Sequence, residues 1–68
     1  MTIPQHPHFP VRFERGVLYA TLNRPEARNA MTRDMVVAIR ALFTAIRDDR
    51  SVRVVVLRGA GGHFCAGG

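Results

Sequence analysis

The sequence predicts an α/β fold in which a β-hairpin precedes a strand-helix-strand unit. Apolar and charged residues alternate over 11–14, and 17–22 is an apolar run with β-branched and aromatic members. Apolar residues then recur at helical spacing over 32–47. The nearly continuous β-branched run over 52–57 is typical of a buried parallel strand. The last three elements fill the length of one βαβ unit, whose crossover should be right-handed.

The two hairpin strands are separated only by Arg15-Gly16, a pair that is typical of a tight turn. Pro25 ends the second strand, because proline lacks the N–H that a ladder needs and keeps Arg24 out of helical geometry. We expect a loop from there to about Met31.

The first ten residues contain three prolines and no apolar period. We expect 1–10 to be an extended, flexible tail and 11–68 to belong to one domain. His6 and His8 flank a proline in this tail, but no acidic or cysteine ligand lies nearby in sequence. We therefore assign no metal site.

Thr32 is the expected N-cap of a helix that extends to about Arg47, and Asp34 complements the positive charge of its first turn. Because Met35 and Phe43 fall on the apolar stripe of this helix, we expect them to be core residues rather than cofactor contacts. The stripe consists of Met35, Ile39, Leu42, Phe43 and Ile46.

Length and composition limit what the chain can be. It has 68 residues, of which 47% are hydrophobic and 22% charged, as in globular domains, but a core of this size is marginal. With one cysteine there is no internal disulfide. We therefore expect an N-terminal fragment of a larger protein. No stretch reaches the roughly 18 apolar residues that span a bilayer, and the first residues lack a secretion signal, so we expect a cytoplasmic location.

The net charge of +5 comes entirely from arginine, since the chain has no lysine. Such a charge is compatible with a polyanionic partner. Arg33, Arg40 and Arg47 recur every seven residues away from the apolar stripe, as a solvated helix face also requires. Nucleic acid is a minor alternative, because no aromatic residues alternate with the arginines and no nucleic-acid module is recognised.

The glycine-rich run 59–68 follows the last predicted strand, an arrangement that exposes backbone N–H groups to anions and polarised oxygens. A dinucleotide motif would use Gly59 and Gly61 but meets Phe64 at the third glycine, and no phosphate-loop Gly-Lys-Ser/Thr is present. Cys65 lacks the spaced glycines of a nucleophile elbow and is expected to be a small core residue.

Two separated segments carry a family resemblance. One is Leu22–Ala30 (LNRPEARNA), and the other is Val54–Gly61 (VVVLRGAG) together with Phe64–Gly68 (FCAGG). With the helix between them, they resemble the crotonase family, which contains the enoyl-CoA hydratases and isomerases. The resemblance runs from about Val11 to the last residue. It implies a crotonase-like spiral fold, of which this chain is the truncated hairpin and βαβ portion.

The resemblance implies an acyl-CoA thioester as substrate, with coenzyme A as part of it and no prosthetic group. In the family the two segments lie together, and the first loop touches the adenosine and phosphate portion. Ala27 and Arg28 match that loop, and a guanidinium forms charge-assisted hydrogen bonds with phosphate. The alternative for Arg28 is a surface charge, and Arg24 either contacts phosphate or pairs structurally. Ala66 matches a position whose carbonyl contacts adenine.

Gly68 matches the family position that donates one backbone N–H to an oxyanion hole. Such a hole needs two donors at about 2.7–3.1 Å from the oxygen that gains charge. In the family, the second donor and the catalytic carboxylates come later, and none of the five acids here matches them. The resemblance implies hydration by a lyase, or double-bond migration by an isomerase, in fatty acid metabolism. We expect the 68-residue chain alone to be inactive.

The family usually assembles as homo-oligomers, trimers or hexamers, and no membrane contact is implied. Two other interpretations stay open at this point. The chain could be a basic module that binds RNA or another polyanion, with an affinity that falls steeply with salt. It could also be a truncated product without function.

Overall fold

The computed structural model describes residue 3 and residues 5–66. The strands form one sheet in the order β1-β2-β3, in which β1 is antiparallel and β3 parallel to β2. This arrangement confirms the predicted α/β fold. Within the described part of the chain, no helix is long and apolar enough to cross a bilayer. The elements are β1 (Val11–Glu14), β2 (Val17–Leu22), a 3₁₀ helix (Pro25–Ala27), α1 (Arg33–Ile46) and β3 (Val54–Gly59).

The hairpin turn lies where the sequence predicts it. Arg15 and Gly16 both have positive φ, 51° and 82°, which matches the right-handed twist of the flanking strands. The Gly16 carbonyl also accepts hydrogen bonds from the N–H groups of Arg53 and Val54, at 2.8 and 3.2 Å. The turn therefore anchors the start of β3 as well as joining β1 to β2.

The core lies between one face of the sheet and α1. Every second residue of β2 is buried, as expected for the central strand of a sheet that is covered on one side. The helix begins as predicted, because the Thr32 hydroxyl accepts a hydrogen bond from the Met35 N–H at 3.2 Å. The buried apolar residues are Phe9, Leu18, Ala20, Leu22, Met35, Ala38, Leu42 and Ile46.

The predicted core position of Phe43 is wrong. Its side chain is 43% exposed, and the smaller Ala38 is buried in the face of α1 that meets the sheet. The reason is that the sheet has only three described strands, so it is too narrow to cover the whole apolar stripe of α1. Phe43 instead lines an open groove of about 450 Å³ beside β3, together with Ile46 and Val54.

The last strand is parallel to β2, as predicted, but its apolar run is only partly buried in this 68-residue chain. Val54 is 52% exposed and Leu57 is 38% exposed, although both belong to the apolar run. The strand begins two residues later than predicted, at Val54, and pairs with β2 alone among the described residues. With one neighbouring strand, its outer edge and much of its apolar surface stay open.

Part of the segment predicted to be a flexible tail contacts the rest of the fold. Phe9 is fully buried in the core, and its N–H donates to the His6 carbonyl at 2.9 Å. The N–H of Thr21 donates to the Pro10 carbonyl at 3.1 Å, so the segment before β1 is attached to β2. A single aromatic residue between prolines has no periodicity, which is why the sequence pattern did not reveal this contact.

We predict a pH-dependent contribution from the turn between α1 and β3. The Ser51 hydroxyl and N–H donate to Asp49 Oδ1 at 2.6 and 2.9 Å, and these bonds lower the pKa of the Asp49 carboxyl. Because the folded-state pKa lies below the unfolded value of about 3.9, this stabilisation is present above that value and is lost as the pH falls through the folded pKa. Ser51→Ala should be less stable than wild type at pH 7 in urea denaturation, and the difference should shrink by pH 3. A difference that stays constant with pH would contradict this role.

We also predict that the open edge of β3 makes the 68-residue chain self-associate as its concentration rises. Val56 is 36% exposed in the middle of this edge strand, where a lysine would oppose pairing between chains. Val56→Lys should therefore reduce association in sedimentation velocity experiments. Val37→Lys is the control, because Val37 is 58% exposed on α1 and has no strand edge. Equal effects of the two substitutions would assign the association to general hydrophobicity.

Candidate functional site

Two loops meet where β2 and β3 end. We call residues 23–31 the arginine loop and residues 60–66 the glycine loop. Because β2 and β3 are parallel, Leu22 and Gly59 are paired at the same edge of the sheet. The N–H of Ala60 then donates to the Leu22 carbonyl at 2.9 Å. Ligand sites in parallel sheets commonly lie at this carboxyl edge.

The arginine loop reverses direction at two left-handed residues. The 3₁₀ helix ends at Arg28, with a φ of 53°, and Asn29 follows with a φ of 61°. Their N–H groups donate to the carbonyls of Pro25 and Arg24, at 3.0 and 2.8 Å. Asparagine tolerates this conformation, whereas for arginine it costs about 1–2 kcal/mol. Surrounding contacts must therefore stabilise the reversal.

The side chain of Asn29 supplies these contacts. It is fully buried, its Oδ1 accepts from the Arg24 N–H at 2.8 Å, and its Nδ2 donates to the carbonyls of Ala60 and His63 at 2.8 and 2.7 Å. The two carbonyls and the one N–H fix which way the amide points. The sequence assigned Asn29 no role beyond its place in the motif, because the two carbonyls that its Nδ2 binds lie 31 and 34 residues away.

Glycine in the second loop permits close approach of the backbone. A Cβ on Gly59 would lie 2.1 Å from the His63 carbonyl oxygen, and a Cβ on Gly61 would lie 2.6 Å from the Cβ of Pro25. Gly61 also has a φ of 73°, which favours glycine. These glycines bring the carbonyls of the loop to Asn29 and bring the loop itself against the 3₁₀ helix.

The predicted contact residues Arg28 and Ala66 are neighbours in the structure. The Ala66 N–H donates to the Arg28 carbonyl at 3.0 Å, and both residues are exposed. Among the described residues, the Arg28 guanidinium has no hydrogen bond or ion pair. The hydrogen bond thus joins the backbone of Ala66 to that of Arg28, whose side chain is exposed.

The other predicted residues lie around this pair. Arg24 is half-buried, and its Nη1 donates to the Ala30 carbonyl at 3.0 Å, which is the structural pairing considered from the sequence. Ala27 is half-buried at the end of the 3₁₀ helix. Gly68, the predicted oxyanion donor, lies outside the described residues. Cys65 packs against the core, as expected for a small core residue.

Comparison with known proteins identifies relatives of this chain. A family model described as enoyl-CoA hydratase/isomerase matches residues 17–68. The enoyl-CoA hydratase EchA19 of Mycobacterium tuberculosis is 36% identical over 66 residues, which are 97% of this chain and 25% of that protein. The 3-hydroxyisobutyryl-CoA hydrolase 1 of Arabidopsis thaliana is 43% identical over 58 residues, which are 85% of this chain and 15% of that protein.

The fold is also found in solved structures. The structure of Pseudomonas aeruginosa AtuE matches with a TM-score of 0.87 at 59% identity, covering 90% of this chain and 24% of that one. The chain therefore spans a quarter or less of the length of each of these three proteins.

We predict that Gly61→Ala destabilises the fold more than Gly62→Ala. Both glycines have positive φ, but a Cβ on Gly61 meets Pro25 whereas a Cβ on Gly62 has nothing within 4 Å. Gly62→Ala should cost about 1–2 kcal/mol from the left-handed backbone alone. Gly61→Ala should add to this the cost of separating the two loops. Urea denaturation of both variants measures the difference, and equal losses would show that the contact with Pro25 is not needed.

Proposed function

Because the chain belongs to the enoyl-CoA hydratase/isomerase family, we propose that its two joined loops bind the coenzyme A portion of an acyl-CoA thioester. One observation carries this proposal: the 3.0 Å hydrogen bond from the Ala66 N–H to the Arg28 carbonyl. It joins the backbone of a residue that can bind phosphate to the backbone of a second residue that can contact a base. Coenzyme A is here a part of the substrate rather than a resident cofactor.

Arg28 is the proposed phosphate ligand. Its guanidinium is exposed, and its donors can form charge-assisted and bidentate hydrogen bonds with phosphate oxygens. Ala27 would lie beside the same portion of the ligand. Arg24 is a weaker candidate, because its guanidinium already donates to the Ala30 carbonyl.

Ala66 is the proposed adenine contact. Its N–H is used in the bond to Arg28, which holds the residue at the edge of the loop, and its carbonyl would accept from the adenine amino group. For Gly68 the proposal rests on the family resemblance alone. Its N–H would be one of two donors to the thioester oxygen on which negative charge develops.

For the whole protein, we propose hydration of an enoyl-CoA thioester, with double-bond migration as the alternative. The names of the relatives support a common substrate class, since one is an enoyl-CoA hydratase and another is a 3-hydroxyisobutyryl-CoA hydrolase. Stabilising charge on the thioester oxygen suits each of these reactions. The family resemblance further supports a homo-oligomer, trimer or hexamer.

Polyanion binding is the less supported function. Arg12 forms an ion pair with Glu14 and lies 4.3 Å from the ring centroid of Tyr19, so this exposed cation has partners within its own sheet. Arg47 has an acidic neighbour in Asp48 at 3.8 Å. These pairs are ordinary features of a solvated surface.

We predict that Arg28→Gln weakens coenzyme A binding by about tenfold or more, because it removes a hydrogen bond to a charged group. Arg40→Gln should leave the affinity unchanged, since Arg40 is an exposed residue in the middle of α1 that carries the same charge. Isothermal titration with coenzyme A and with 3′-dephospho-coenzyme A measures both variants. If Arg28→Gln weakens only the binding of coenzyme A, Arg28 binds the 3′-phosphate; if it weakens both, Arg28 binds the pyrophosphate. Equal affinities of wild type and Arg28→Gln for both ligands would refute the role of Arg28.

A further inference from the structure

The buried amide of Asn29 explains how this site keeps its shape. We infer that Asn29 is a positioning residue for coenzyme A recognition, because it fixes Arg28 and Ala66 relative to each other without itself touching the ligand. This inference rests on the proposed coenzyme A site. It adds to that site a residue whose effect on binding is indirect.

The hydrogen bonds of Asn29 leave it no direct part in binding. Both protons of Nδ2 are donated to carbonyls of the glycine loop, Oδ1 accepts from Arg24, and the side chain is fully buried. Asparagine suits this position in two ways. It supplies two donors and an acceptor on a short side chain, and it tolerates the left-handed φ of 61°.

The connection to Arg28 and Ala66 runs through one peptide unit. The N–H of Asn29 and the carbonyl of Arg28 belong to the same plane and, in a trans peptide, point in opposite directions. The N–H donates to the Arg24 carbonyl, whereas the Arg28 carbonyl accepts from the Ala66 N–H. Holding Asn29 therefore orients the carbonyl that Ala66 binds, and it also fixes the direction in which the Arg28 side chain leaves the backbone.

Aspartate at position 29 tests this connection with almost no change of shape. An aspartate oxygen would face the carbonyls of Ala60 and His63 in place of a donor, so the two loops would repel each other. Protonation at low pH would restore one O–H donor. Asn23→Asp is the matched control, because Asn23 is an exposed residue of the same loop, the substitution adds the same charge, and its Nδ2 donates to the Pro7 carbonyl at 3.2 Å rather than to the glycine loop.

The experiment measures coenzyme A affinity by titration for wild type, Asn29→Asp, Arg28→Gln and the double variant. Asn29→Asp should weaken binding by about tenfold or more, and Asn23→Asp should weaken it far less. Arg28→Gln should then cost less than about threefold in the Asn29→Asp background, because a displaced guanidinium has little left to lose. The affinity of Asn29→Asp relative to wild type should recover partly from pH 8 to pH 5.

Each contrary result has its own meaning. If wild type binds coenzyme A and Asn29→Asp binds it equally well, the inference is wrong and the proposed site stands. If Arg28→Gln costs the same in both backgrounds, Asn29 serves only stability and the inference is overturned. If wild type does not bind coenzyme A, the proposed site and the inference fail together.

A second variant covers the case in which Asn29→Asp does not fold. Ala66→Pro removes the N–H that donates to the Arg28 carbonyl, at an exposed position outside the helix and strands, and it also restricts the backbone of residues 65 and 66. It should also weaken coenzyme A binding by about tenfold. Wild-type affinity in a folded Ala66→Pro protein would overturn the inference.

Discussion

The site depends on three hydrogen bonds made by one buried side chain. The sheet brings the two loops to the same edge, but it does not determine how they meet, because the register of the strands ends at Leu22 and Gly59. Beyond that point, Asn29 bonds to the backbone of both loops. Buried hydrogen bonds of this kind contribute specificity mainly through the cost of leaving a partner unsatisfied. The arrangement of Arg28 and Ala66 follows from them.

The rest of the chain is a scaffold whose apolar surface is buried along β2 but stays partly exposed along β3. The central strand β2 has neighbours on both edges and buries every second residue. β3 keeps an open edge, and the groove beside it is lined by apolar residues that include Phe43 and Val54. Its exposed apolar residues are Val54, Val56 and Leu57. A surface of this kind is typical of an interaction surface, and the matched residues cover a quarter or less of each of these relatives.

The sequence predicted what local periodicity and turn chemistry determine. The Arg15-Gly16 turn, the Thr32 cap and the order of elements were confirmed, because each depends on residues close together in the chain. The exposure of Phe43 and the burial of Phe9 could not be predicted in this way. Periodicity gives the apolar stripe of a helix but not the width of the sheet beneath it, and a single aromatic residue has no period.

The candidate site could also be predicted only in part. Its composition was visible, since the family motif contains Arg28 and Ala66, and the structure brings these two residues into contact. The role of Asn29 was not visible, because no local pattern indicates that an amide bonds to carbonyls 31 and 34 residues later. The left-handed backbone of Asn29 points to such a role, but this conformation is known only from the structure.

The main chain and the side chain of Arg28 have different roles in the site. Its main chain is structural, since the N–H donates to the Pro25 carbonyl and the carbonyl accepts from Ala66, while its side chain has no hydrogen bond within the described residues. Changing the guanidinium therefore leaves the loop contacts in place. For Asn29 the division is different, because its side chain is the structural link itself. The left-handed conformation of Arg28 costs about 1–2 kcal/mol, and the side-chain hydrogen bonds of the neighbouring Asn29 offset this cost. The guanidinium of Arg28 is not used in these bonds and stays available for a ligand.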